Sequence, residues 1–137
     1  MSQRAQARFA REGLQGRAQI VGGNFLTDPL PTGADVASLV RVIHDHDDAT
    51  AATLLRNVRR ALPVAGTLLL AEPMADTPGA ETVGNAYFGM YLLAMGRGRA
   101  RSFAELSDLV RAAGFVAIRR VPTAVPLQTS LLVARVP

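Results

Sequence analysis

The run Val36–Asp48, VASLVRVIHDHDD, constrains this chain more than any other stretch. Up to Ile43 it is apolar or small except for Arg41, and it is rich in β-branched residues. That pattern predicts a strand over Val36–Ile43, buried on both faces of a parallel sheet. Polarity then reverses without a spacer: His44, Asp45, His46, Asp47 and Asp48 follow, and they include both histidines of the chain. Open α/β sheets bind ligands in the crevice beyond the carboxyl ends of their strands. His44 is expected to be the first side chain to emerge there.

The next segments make this strand half of a βαβ unit. Asp48 is placed to cap a helix over Ala49–Leu62, where Leu54, Leu55, Val58, Ala61 and Leu62 share one face. Pro63 closes that helix. A second apolar strand, Thr67–Ala71, stops at Glu72-Pro73. Two parallel strands with a right-handed crossover are implied. Ser102 and Glu105 form a capping box that opens a helix to Ala113, closed by Gly114. Strands over Phe115–Val121 and Thr129–Val136, with a proline-rich turn between them, predict a hairpin at one sheet edge. Upstream, the pattern predicts a helix over Ser2–Leu14, a short strand in Gln19–Phe25 and a loop over Asp28–Gly33. Glu81–Met95 reads as an unusually apolar helix and Gly96–Arg101 as a basic turn. The class is α/β.

With 137 residues, there is room for at most one domain, and 49% hydrophobic against 19% charged residues predicts a packed core. The absence of cysteine excludes thiol chemistry and fits a cytoplasmic protein. No apolar run approaches the roughly 20 residues of a bilayer span. The net charge is +4, and every basic residue is arginine. Apart from Arg97, Arg99 and Arg101, these arginines are spread along the chain, and aromatic residues make up only 5%, so solvated surface is favoured over nucleic-acid binding.

Several residues invite a chemical reading. His44-Asp45-His46-Asp47-Asp48 has the start of a zinc pattern, but the histidines that would complete such a site are lacking, so no metal is expected. His44 can act as a general base near neutral pH if an acceptor orients its other ring nitrogen. Glu72 ends the neighbouring strand and would lie at the same sheet edge. The pair reads equally well as two polar residues at strand ends. Gly22-Gly23-Asn24 is a turn or a phosphate cradle, without a nucleotide-binding fingerprint. The Tyr87, Met90, Tyr91, Met95 stripe is core or pocket wall.

LVRVIHDHDDATAATLLRNVRRALPVAGTLLLAEPM, with the later AYFGMYLLAMGRGRARSFAELSDLVRAAGF, resembles the S-adenosylmethionine-dependent small-molecule O-methyltransferases. The likeness is greatest to the branch acting on acyclic carotenoids. It implies a Rossmann-like, mostly parallel sheet with an antiparallel C-terminal strand. It also implies methyl transfer to a substrate hydroxyl, with His44 as base and Glu72 orienting it. Gly23, Asn24, Phe25 and Arg41 would face the cofactor, and Asp45, Tyr87, Met90, Tyr91 and Met95 the substrate. Two departures stand out. Gly23-Asn24 replaces an Asp-Met pair common before the phenylalanine, and Ala100 takes the place of a second glutamate. The family's glycine-rich cofactor loop is expected upstream of Arg17, where sixteen residues stand. The expectation is therefore a helical segment over 1–16 and a partial catalytic domain over 17–137. Such a chain would bind S-adenosylmethionine weakly by itself and associate with copies of itself. A peripheral membrane contact would serve a lipophilic substrate. The rival reading is a non-catalytic remnant serving as a binding or assembly module.

Overall fold

In the computed structural model, residues 2–79, 98–126 and 128–137 are described. The expected helix carrying Tyr87, Met90, Tyr91 and Met95 lies outside them. An N-terminal helix, α1 (Ser2–Arg11), precedes strand β1 (Val36–Val40), helix α2 (Asp48–Ala61) and strand β2 (Thr67–Glu72). Helix α3 (Phe103–Ala112) and strands β3 (Val116–Val121) and β4 (Ser130–Arg135) complete the order. The sheet runs β1-β2-β4-β3. β1 and β2 are parallel, with Val36 opposite Thr67 and Val40 opposite Ala71. β4 is antiparallel to both its neighbours, and β3 and β4 form the edge hairpin. This is the α/β arrangement that the sequence implied.

Alternation along β2 decides which side chains face the helices. Leu68, Leu70 and Glu72 are buried, and the residues between them are half-buried. Leu68 and Leu70 join Leu132 and Ala134 of β4 in a core closed by Leu54, Leu55 and Val58 of α2 and Leu106 and Val110 of α3. Burial of each large aliphatic side chain contributes about 1.5–3 kcal/mol. Ser102 and Glu105 form the expected capping box at α3.

Three sequence expectations need correction. The strand over Gln19–Phe25 does not form. Asn24 Oδ1 accepts from Leu26 N, Asn24 O accepts from Thr27 N and Asp28 N, and Asp28 Oδ2 accepts from Asn24 N. These local bonds fold residues 24–28 into a turn and take the Asn24 amide and carbonyl that a strand would use. β1 stops at Val40, and Val36 and Val40 are more than half exposed, so it is not buried on both faces. Helix α2 begins one residue early: Asp47, not Asp48, is the N-cap and accepts from Thr50 N at 2.8 Å.

Candidate active site

The site is built where β1 and β2 end. Glu72 shares the helix-facing side of β2 with Leu70 and is 1% exposed. After Val40 the backbone turns sharply at Arg41, whose φ is 54°. Val42 N and Ile43 N then both donate to Glu72 Oε1, at 2.9 and 2.7 Å. With these groups taken, the chain leaves the sheet and forms a 3-10 turn over Ile43–Asp45. His44 is 4% exposed on that turn, and its Nδ1 lies 2.5 Å from Glu72 Oε2. The two residues that sequence placed at neighbouring strand ends are thus in direct contact. His44 reaches Glu72 from the turn rather than from the strand itself.

The hydrogen-bond pattern fixes how the imidazole is held. Glu72 accepts from two amides through Oε1, and its Oε2 accepts from the ring. Nδ1 is therefore the ring nitrogen turned to Glu72, and Nε2 points away from it. Asp45 Oδ1 lies 3.2 Å from Nε2, within ion-pairing distance but without hydrogen-bond geometry. That oxygen is buried and has no hydrogen-bond partner among the described residues. A buried acceptor of this kind is satisfied by a donor such as a hydroxyl.

The same turn is held from the side opposite Glu72. Arg101 is 1% exposed, although its GRGRAR run read as solvated. Its Nη1 donates to Ile43 O at 2.9 Å, its Nη2 to His46 O at 2.7 Å and its Nε to Asp48 Oδ1 at 2.8 Å. That hydrogen bond from Arg101 holds the Asp48 carboxyl below the usual aspartate range, assisted by Arg99. Gly98 packs on the turn as well. Its φ is +103°, and a Cβ there would sit 2.2 Å from His44 O. One signal pointed to the Arg101 position: it immediately precedes a capping box whose helix enters the core.

The loop with Gly23, Asn24 and Phe25 borders the turn. The Phe25 and His46 rings are 5.4 Å apart and tilted by 55°. Asn57 of α2 donates to Phe25 O and Leu26 O, both at 3.1 Å. Gly23 and Phe25 line an open cleft of about 290 Å³ with Val21, Asn24, Pro29 and Pro31. Arg41 lies at the mouth of the turn and is exposed. His46 faces Phe25.

These observations can be set beside known proteins. Residues 1–116 match the O-methyltransferase domain family. The chain belongs to that family. Within it, demethylspheroidene O-methyltransferase from Cereibacter sphaeroides is 40% identical over 134 residues, 98% of this chain and 35% of the relative. The crystal structure of LaPhzM matches with a TM-score of 0.87 at 33% identity, over 99% of this chain and 40% of that one. The O-methyltransferase NcsB1 from neocarzinostatin biosynthesis was solved with S-adenosyl-L-homocysteine and 1,4-dihydroxy-2-naphthoic acid. It matches with a TM-score of 0.78 at 36% identity, over 98% of this chain and 38% of that one. The chain spans about a third of the length of the curated relatives it matches. No helix among the described residues is long and apolar enough to cross a membrane.

Proposed function

We propose that this chain carries the base and its orienting carboxylate for S-adenosylmethionine-dependent O-methylation of a small hydroxylated molecule. The observation that carries the reading is the 2.5 Å contact between His44 Nδ1 and Glu72 Oε2 at the strand ends of a family-matched fold. Glu72 holds the ring so that Nε2 receives the substrate's hydroxyl proton. Asp45 Oδ1 orients that hydroxyl before transfer. The cofactor, when bound, supplies the electrophilic methyl group. The walls formed by Gly23, Asn24 and Phe25 would hold its ring end, and Arg41 would border it. A positioned base of this kind contributes roughly 10²–10⁴ in rate.

The substrate we propose is an acyclic carotenoid hydroxyl, because the 40% identical Cereibacter sphaeroides relative is a demethylspheroidene O-methyltransferase. Contact with a membrane surface would deliver so lipophilic a molecule. The 137 residues taken by themselves hold S-adenosylmethionine weakly, since the described residues offer a ring-end subsite and no cradle for the cofactor's amino-acid end. The test is product analysis. The chain, alone and supplemented with the cofactor-binding half of a relative, is incubated with S-adenosylmethionine and either a hydroxylated acyclic carotenoid or a dihydroxynaphthoate. The methyl ether of the carotenoid, together with S-adenosylhomocysteine, is the expected product of the supplemented mixture. Methylation of the naphthoate alone would contradict the substrate assignment, and methylation of neither would contradict the activity.

A further inference from the structure

The turn that carries His44 exposes two sets of backbone groups, and separate charged side chains hold them. Glu72 takes its N–H groups, at Val42 and Ile43. Arg101 takes its carbonyls, at Ile43 and His46. Between these two anchors the turn's own closure is weak: Asp45 N to Val42 O and His46 N to Ile43 O are both 3.2 Å. A three-residue 3-10 turn has poor intrinsic hydrogen-bond geometry and does not hold a side chain by itself. Without Arg101 the Ile43 and His46 carbonyls would lose their charged donor in a buried setting.

From this we infer that Arg101 is a positioning residue for His44: its guanidinium clamps the carbonyl side of the turn and so keeps Nδ1 aligned on Glu72 Oε2. The inference rests on the reading of His44 as the base only for its consequence in catalysis, since the alignment itself is a property of the chain. Arginine suits the task better than lysine. Its planar fork presents five donors in fixed directions, and three separate acceptors are met here at 2.7–2.9 Å. Asp48 has two roles in this arrangement. It neutralises the buried cation, and it fixes the rotation of the guanidinium from the first turn of α2. The main chain of Arg101 is tied down too, because Ala75 N donates to Arg101 O at 3.0 Å. Gly98 lets the same segment lie directly on His44 O. The segment 98–101 and the strand end at Glu72 therefore enclose the turn from opposite sides.

The experiment is imidazole nitrogen NMR on the histidine-labelled chain, which is simple because His44 and His46 are the only histidines. His46→Gln assigns the two rings. Wild type should show one dominant His44 ring form, protonated at Nδ1, with a slowly exchanging Nδ1 proton. In Arg101→Met, provided that it melts cooperatively, His44 should become a mixture of tautomers, and its Nδ1 proton should exchange about tenfold faster or more. Arg101→Lys should recover part of the wild-type signature. An unchanged tautomer and exchange rate in a folded Arg101→Met chain would overturn the inference. If Arg101→Met does not fold, Asp48→Asn carries the test, because that side chain is exposed. It should give a smaller change in the same direction, and no change would overturn the inference. In a preparation that transfers methyl groups, Arg101→Lys should lower kcat while leaving KM for the cofactor unchanged. Full turnover in His44→Ala would remove the base reading and leave the tautomer result standing. A normal ring in Arg101→Met beside an inactive His44→Ala would do the reverse.

Discussion

Glu72 uses both of its oxygens, and this changes what its substitution should do. On sequence alone Glu72→Gln looks mild, because an acceptor for the histidine remains. In the structure Oε1 is committed to two amide donors. A glutamine would keep its oxygen there and turn its NH₂ toward Nδ1. The ring proton would move to Nε2, and the base would lose its lone pair. Glu72→Gln is therefore expected to lower turnover by roughly 10²–10⁴, as much as loss of the base itself, with little loss of stability. Kinetics beside a thermal melt checks both halves. His44 and Glu72 were legible because polar residues directly after two apolar strands have few places to go. Arg101 was not. An arginine in a glycine-rich basic run is most easily solvated, and only the three-dimensional meeting of residues 43, 46 and 48 gives its guanidinium enough acceptors to be buried.

At the level of elements, the turn between β1 and α2 differs most from what the sequence implied. Periodicity predicted a strand through Ile43, yet Glu72 draws the Val42 and Ile43 amides out of the sheet. A pattern of apolar residues cannot reveal that, since the cause is a side chain about thirty positions away. The βαβ unit, the capping box and the final hairpin were legible because each rests on local signals that tertiary contacts reinforce. Two predictions belong here. Gly98→Ala should destabilise the chain by at least about 1–3 kcal/mol, because alanine is strained at its φ and its Cβ would meet His44 O. A denaturant midpoint well below wild type checks this. The second concerns acid. The hydrogen bond from Arg101 lowers the Asp48 pKa in the folded state, so the stabilisation is complete above the unfolded aspartate range and is lost as pH falls through the folded value. Asp48→Asn should flatten the acid limb of stability against pH, as read by melting between neutral and strongly acidic buffer.

For the molecule as a whole, β1 is a sheet edge among the described residues: it pairs with β2 on one side, and Val36 and Val40 are more than half exposed. Arg41 follows the strand and does not interrupt it. Exposed edges with valine side chains are templates for pairing with another chain. The protein is expected to self-associate at tens of micromolar, so light scattering over a dilution series should show a falling mean mass. A constant monomer mass would show that the edge is covered. Calorimetry should likewise find no micromolar affinity for S-adenosylmethionine in the 137-residue chain. The central claim, that His44 takes the substrate proton, is tested most directly by single-turnover methyl transfer with His44→Ala in a preparation that turns over S-adenosylmethionine. The rate should fall by roughly 10²–10⁴ while cofactor affinity stays close to wild type. A wild-type single-turnover rate in His44→Ala would contradict the claim.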